Sequence, residues 1–309
     1  MKIHFGTDKL PKFKNAVVTT GTFDGVHAGH KELLQSIKKS AKQIHGESVI
    51  ITFHPHPRLI VHPKDDSLRV LTSLNEKIDL LEKEGMDHLV IISFDKEFSQ
   101  IEANDYVNNF LIQYFNPSVI VLGYNHQFGR HRDGNLILLQ KLAEKNNFKV
   151  EEIPRQLVDD IDVSSTKIRI AIQEGDLNRA NHLLGHPYSL RGNVKRGKQL
   201  GRQIGFPTAN IRVDDDFKLI PHTGIYAVKA TVLNREYNGM MNVGYNPTFN
   251  ETELSLEVHL FQFDKEIYAE DISINFIART RDEIKFANLD ELVNAIKQDE
   301  IIIRKILNC

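Results

Sequence analysis

The sequence predicts an α/β domain built on a doubly wound parallel sheet, followed by a smaller antiparallel β domain that ends in one helix. Three observations predict this arrangement. Short apolar runs alternate with helical patterns through the first half, the texture turns β-rich from about His186, and a long amphipathic stretch closes the chain.

In order along the chain, "NAVVTTG", "ESVIITF", "DHLVIISF" and "SVIVLG" read as buried strands, rich in Val and Ile and stopped by Gly, Phe or a polar turn. Between them, "HKELLQSIKKSAKQIHG", "LNEKIDLLEKEG" and "ANDYVNNFLIQYF" carry apolar residues at three- and four-residue spacing. Strand following helix in this way implies a parallel sheet, and such sheets bind ligands at the carboxyl ends of their strands. Beyond the helical stretch "DLNRANHLLG", the segments "HPYSLRGNVKRG", "TGIYAVKATVL", "REYNGMMNVGYNPTF", "ELSLEVHLFQF" and "DISINFIARTR" are short, β-rich and broken by Gly, Pro and Asn. They imply an antiparallel barrel or sandwich. The final helix, "NLDELVNAIKQDEIIIRKIL", has Asn288 or Asp290 to cap it. The domain boundary is expected near Leu184 and Gly185, dividing the chain into residues 1–184 and 185–309.

Composition narrows the function classes. The chain has 309 residues, a formal charge of −2 and 41% hydrophobic residues, which suits two domains with separate cores. Near-neutral charge argues against a protein that coats nucleic acid. The single cysteine is Cys309, so neither a disulfide framework nor a cysteine metal site is expected. No apolar leader and no run of 18 apolar residues is present, so the expectation is a soluble, unprocessed cytoplasmic protein with no membrane partner.

"GTFDGVHAGH" leaves the first strand through a glycine-rich turn and sets His27 and His30 on either side of Ala28-Gly29. Gly21 and Gly25 allow backbone geometry that a side chain would obstruct, and Gly29 lets a ligand approach the main chain. A helix follows, so its free N–H groups face an anion bound there, and two histidines can donate to a phosphate as charge builds. Gly21, Phe23, Asp24, Gly25 and Gly29 are therefore candidates for a nucleotide-binding surface. Two bare histidines would equally suit an ordinary loop in a chain that holds 14. At the far end of the domain, "DVSSTKIRIAI" places Ser164, Ser165 and Thr166 at a helix start with Lys167 and Arg169 in the next turn. Hydroxyls, free N–H groups and two cations make a second phosphate cradle, although Ser and Thr are also common helix caps.

The second domain carries "RGNVKRGKQLGRQIGFPTANI", with Gly192, Gly197, Gly201 and Gly205 at four- or five-residue spacing among basic residues that include Lys198. A flexible β-turn segment would share that composition. Its ending, Pro207-Thr208-Ala209-Asn210, offers a threonine hydroxyl and an asparagine carbonyl beside a rigid proline, a donor pair that can complete a Mg²⁺-ATP site. "SLEVHLF" then puts Glu257 and His259 on one face of a strand, where a carboxylate could serve as a base. His54-Pro55-His56 lacks nearby acidic or cysteine partners and reads poorly as a metal site, and Asp214-Asp215-Asp216 reads as a solvated loop.

These motifs together resemble the prokaryotic bifunctional riboflavin kinase/FAD synthetase family. The histidine turn and the Ser-Ser-Thr helix start look like a nucleotidyltransferase, and "TFHPHP" and "LGYNHQFGRHRDGN" match that family's FAD synthetase module in order and spacing. The glycine-rich flap with its Pro-Thr-Ala-Asn ending, "NVGYNPTF" and "RTRDEIKF" are similar to the riboflavin kinase module. The resemblance implies a Rossmann-like first domain and a barrel in the second. It further implies that His27 and His30 stabilise charge at the α/β-phosphates while Ser164, Thr166 and Arg169 hold the β- and γ-phosphates, and that Asn125 helps to position substrate. Glu257 would be the kinase base, Thr208 and Asn210 the Mg²⁺ ligands, and Arg281 a flavin contact. The implied substrates are riboflavin, FMN and ATP, acting with Mg²⁺ in a monomer or transient homo-oligomer. Departures fall at Ala28, where leucine is usual, at Asn125-His126-Gln127, where aspartate, phenylalanine and arginine are common, and at Gln262 and Ala269.

Overall fold

The computed structural model describes residues 1–65, 67–124, 126–153, 163–197, 199–245 and 254–309. Of the expected site residues, Asn125 and Lys198 lie outside these, as does residues 246–249 of "NVGYNPTF". The chain forms two compact units, one of Met1–Val70 with Lys77–Ser164 and the other of Leu71–Glu76 with Ser165–Cys309.

The first unit is built on a six-stranded parallel sheet: β1 (Lys2–Phe5), β2 (Val17–Thr20), β3 (Ser48–His54), β4 (His88–Ser93), β5 (Val119–Leu122) and β6 (Lys149–Glu152). Its order is β1-β4-β3-β2-β5-β6, so the chain winds one way from β2 and the other way from β5. The reversal between β2 and β5 opens a crevice at their carboxyl ends. β2 and β5 are buried throughout, as β-branched runs covered on both faces should be. Val18, Val49, Ile51, Val90 and Ile120 pack in one core with Phe53, Phe110, Phe115 and Phe128. The helix over residues 103–115 widens into π-type turns from Tyr106 to Ile112, which face Tyr106, Val107, Phe110 and Leu111 to that core.

The second unit is a closed barrel in the order β10-β11-β8-β7-β12-β9. Its strands are β7 (Tyr188–Lys195), β8 (Ala209–Val213), β9 (Gly224–Val232), β10 (Arg235–Tyr245), β11 (Leu254–Leu260) and β12 (Asp271–Arg281), and every pairing is antiparallel. Tyr188, Val194, Tyr226, Met241, Val258 and Phe276 are among its buried side chains. The closing helix, Leu289–Leu307, packs Ile303 and Leu307 on Ala227, Met240 and Phe261. Asn288 caps it, accepting from Glu291 N at 2.9 Å, while Glu291 reaches back to Ala287 N.

Residues 71–76 join this unit through Lys218. Its buried ammonium donates to Glu76 Oε2 at 2.6 Å and to the Leu71 carbonyl at 2.5 Å, and it lies 4.5 Å from the centre of the Tyr188 ring. Such a pair holds position well, because either charge left alone in the interior is costly.

Candidate functional site

At the end of β2, Gly21 N donates to the Ile51 carbonyl at 3.0 Å, the last tie to the sheet before the chain turns. Phe23, Gly25 and Val26 all have positive φ, at 47°, 86° and 39°. A side chain at Gly21 would press on the buried Phe23 ring, with a Cβ only 3.1 Å away. His27 caps the first helix, Ala28–Gln43, and its carbonyl accepts from His30 N at 2.8 Å and Lys31 N at 3.1 Å. That geometry stacks the two imidazoles, with centroids 3.7 Å apart and planes 16° from parallel.

The electrostatics follow from burial. Desolvation holds the His30 pKa well below the ordinary histidine value, and the neighbouring His27 and Lys77 push the same way. The ring is therefore neutral near neutral pH. Its Nδ1 is buried without a hydrogen-bond partner among the described residues, a nitrogen available to whatever enters the crevice. Asp24 is buried in the same turn.

Lys77 is a residue that sequence reasoning missed. It is buried and lies 3.5 Å from the Thr52 hydroxyl, which in turn donates to the Thr22 carbonyl at 3.3 Å. Its signal was available: in "LNEKIDLLEK" it stands three residues after Leu74, one before Ile78 and four before Leu81, on the apolar stripe. A lysine there places a cation near the histidines.

Across the crevice, His126 follows the end of β5. Its Nε2 lies 3.2 Å from the Thr20 hydroxyl at the end of β2, and Thr20 also bonds to the Tyr106 hydroxyl. Burial, with Arg132 nearby, lowers the His126 pKa to about 4, and burial raises that of Tyr106. Further along, Phe128 and Gly134 bridge, and Arg132 Nε donates to Gln127 Oε1 at 2.9 Å. His56 caps a short helix, accepting from Arg58 N at 3.2 Å.

Ser165, Thr166 and Arg169 stand on the helix Ser165–Gln173, which buries Ile168, Ala171 and Ile172 in the second unit; Ser164 is the last residue of the first unit.

In the barrel, Glu257 is held at both carboxylate oxygens. Thr208 Oγ1 donates to Oε2 at 3.0 Å and Ser255 Oγ donates to Oε1 at 3.0 Å. Backbone register explains the first contact, because β11 pairs β8 with Glu257 opposite Asn210. His259, two residues on, bonds through Nδ1 to the Pro207 carbonyl at 2.7 Å and so steadies the approach to Thr208. The side-chain amide of Asn210 fills the space that a Cβ on Gly197 would take, so a larger residue there would displace that amide. Gly192 lies on β7 where the Arg212 carbonyl fills the Cβ position, Gly201 approaches the Phe206 carbonyl in the same way, and Gly205 turns at φ 85°.

A cavity of about 230 Å³ lies beside this group, lined by Arg202, Pro207, Thr208, Phe263, Glu266 and Tyr268 among others. Gln199 Nε2 donates to the Tyr268 hydroxyl at 3.1 Å, and the Arg196 guanidinium lies 5.1 Å from that ring, tying the glycine-rich segment to the β11–β12 loop. Ala269 takes φ 64°, a conformation that favours glycine. The Glu283 carboxylate occupies the Cβ position of Gly244, which pairs with Ser255, and thereby adds an unexpected acid to this face. Arg281 makes a bidentate pair with the buried Asp299, at 2.8 and 2.6 Å, and donates to the Asp282 carbonyl.

Two nucleotide-type sites of this kind, a donor-rich turn at a sheet reversal and a base beside an oxygen pair in a barrel, define a two-module phosphoryl-type transferase. Sequence models of two families match the chain, FAD synthetase over residues 9–167 and riboflavin kinase over residues 184–307. The chain belongs to the bifunctional riboflavin kinase/FMN adenylyltransferase family. Relatives of that name include those of Listeria monocytogenes, 37% identical and covering 93% of this chain and 90% of the relative, and of Bacillus subtilis, 36% identical with 92% and 90% covered. A solved structure from Streptococcus pneumoniae, described as a macrolide-efflux protein, is 30% identical, with TM-score 0.85 over 98% of this chain and 99% of that one. Among the described residues no helix is long and apolar enough to cross a membrane.

Proposed function

We propose that the chain makes FMN and then FAD, with the kinase chemistry in the barrel and the adenylyl transfer in the sheet domain. The division into modules of residues 1–184 and 185–309 belongs to the same reading. The observation that carries it is the hydrogen bond from Thr208 to Glu257, which joins the acid of one strand to the oxygen-bearing pair of the next.

In the barrel, Glu257 takes the proton of the ribityl 5′-hydroxyl of riboflavin as that oxygen bonds to the γ-phosphorus of ATP. The bond from the γ-phosphorus to the β–γ bridging oxygen breaks, leaving FMN and ADP. The Thr208 hydroxyl and the Asn210 amide suit a hard cation, and the notch at Gly197 brings Asn210 against the glycine-rich backbone, so this pair would hold Mg²⁺. The ion supplies neutralisation of phosphate charge. Thr208 can ligate through a lone pair while its O–H still points at Glu257. Gly192, Lys198, Gly201 and Gly205 line the ATP side, and Arg281 borders the flavin.

In the sheet domain, a phosphate oxygen of FMN attacks the α-phosphorus of a second ATP and pyrophosphate leaves. The attacking phosphate is already largely ionised near neutral pH, so no base is required. His27 and the neutral His30 donate to oxygens on which charge builds, beside the turn formed by Gly21, Phe23, Asp24, Gly25 and Gly29. By the family resemblance alone, Ser164, Ser165, Thr166 and Arg169 would hold the β- and γ-phosphates and Asn125 would orient the substrate. The reading carries with it a cytoplasmic setting and a monomer or transient homo-oligomer.

The test is to incubate the purified protein with riboflavin, ATP and Mg²⁺ and to separate the flavins over time. FMN appearing first and FAD following is the expected result. FMN accumulating alone would remove the adenylyl step, and no turnover would remove both.

A further inference from the structure

Both oxygens of the Glu257 carboxylate accept hydrogen bonds from hydroxyls, but the two donors differ in how they are mounted. Thr208 reaches across from the start of β8, next to a segment rich in glycine, and its oxygen also belongs to the pair suited to a cation. Ser255 sits on the same strand as Glu257, two residues earlier, so the pleat puts both side chains on one face at a fixed spacing. Its hydroxyl is thus mounted on the same strand as the carboxylate to which it donates.

A glutamate side chain has three torsions to order, and a base must meet its proton within a narrow range of distance and angle. We propose that Ser255 is a positioning residue of the kinase site, holding the Glu257 carboxylate in line with the hydroxyl it deprotonates. The proposal rests on the assignment of Glu257 as the base. A carboxylate has about four lone-pair sites, so two hydrogen bonds from Thr208 and Ser255 leave room for the substrate proton. Ser255 touches neither substrate nor nucleotide in this role, so its effect falls on kcat rather than on KM.

The experiment compares Ser255→Thr with Ser255→Val in steady-state FMN formation. The two variants share volume and β-branching, suit a strand equally and differ in one hydroxyl. Ser255→Thr is expected to keep kcat within about twofold, while Ser255→Val loses roughly ten- to a hundredfold in kcat with the KM values for riboflavin and ATP unchanged. Equal kcat in the two variants, with melting temperatures matched, overturns the proposal. So does a loss that appears only as raised KM, which would make the hydroxyl a substrate contact. Glu257→Gln, alone and combined with Ser255→Val, separates this failure from failure of the base assignment. If Glu257→Gln is inactive and Ser255→Val is normal, only the positioning role falls; if Glu257→Gln keeps its kcat, both fall. Where both roles hold, adding Ser255→Val to Glu257→Gln costs nothing further.

Discussion

The imidazoles of His27 and His30 stack face to face, 3.7 Å between centroids, at the mouth of the crevice between β2 and β5. The shift that keeps His30 neutral makes that ring a source of a hydrogen bond rather than of charge. His30→Ala should lower conversion of FMN to FAD by about a hundredfold or more, with riboflavin phosphorylation intact. Separate assays of the two steps check this, and an unchanged FAD rate would take the histidines out of the chemistry.

Glu257→Ala should give the opposite pattern. Loss of a general base costs about 10²–10⁴ in rate, so FMN formation falls while added FMN is still converted to FAD. Loss of both activities in a folded variant would contradict two separate sites.

The burial of His126, with Arg132 nearby, gives a pH signature. His126 has a pKa of about 4 in the folded chain against 6.5 for an ordinary histidine. Below 6.5 the unfolded chain takes up a proton that the folded ring refuses until about 4, so stability falls as pH falls through that window. The slope approaches about 1.4 kcal/mol per pH unit. His126→Phe should flatten it; urea midpoints taken at about pH 7 and about pH 5 should differ less in the variant.

Lys218 and Glu76 form a buried pair, so Lys218→Met should cost about 3–5 kcal/mol by leaving the carboxylate uncompensated. Adding Glu76→Leu should recover most of that loss. Chemical denaturation followed by a barrel signal checks both, and a double variant as weak as the single one would show that packing, not charge, holds residues 71–76.

Arg281 and Asp299 pair through two hydrogen bonds at the end of β12. Asp299→Asn should weaken the barrel by about 2 kcal/mol, less than a fully buried pair because Arg281 is partly exposed. If Arg281 also borders the flavin, the riboflavin KM rises as well.

The architecture was legible where the pattern was local. Buried strands β2 to β5 announced themselves as β-branched runs, and the two histidines stood out behind a glycine-bearing turn at the end of the first of them. β1 and β6 went unread because edge strands are half-solvated: Lys2–Phe5 and Lys149–Glu152 carry too few apolar residues to stand out. β8 was hidden inside the glycine-rich segment, where its ending drew attention as chemistry rather than as a strand. Ser255 was visible two residues before Glu257, but nothing in a lone serine says which group its hydroxyl serves. The partners of Lys218 and Arg281 are another matter. Glu76 is 142 residues away from Lys218 and Asp299 is 18 from Arg281, and no periodicity links positions that meet only when the chain folds.

β8 meets β11 at two register positions, Glu257 with Asn210 and Val258 with Ala209, whereas β9 and β10 share nine. The β8–β11 ladder is thus the shortest in the barrel, and one of its two register pairs, Glu257 with Asn210, holds residues proposed to act on ATP and riboflavin. Tightness of the vessel and readiness of its working edge are then a single property. A change there that improves one cannot leave the other untouched, which makes this seam the hardest part of the molecule to alter without altering what it makes.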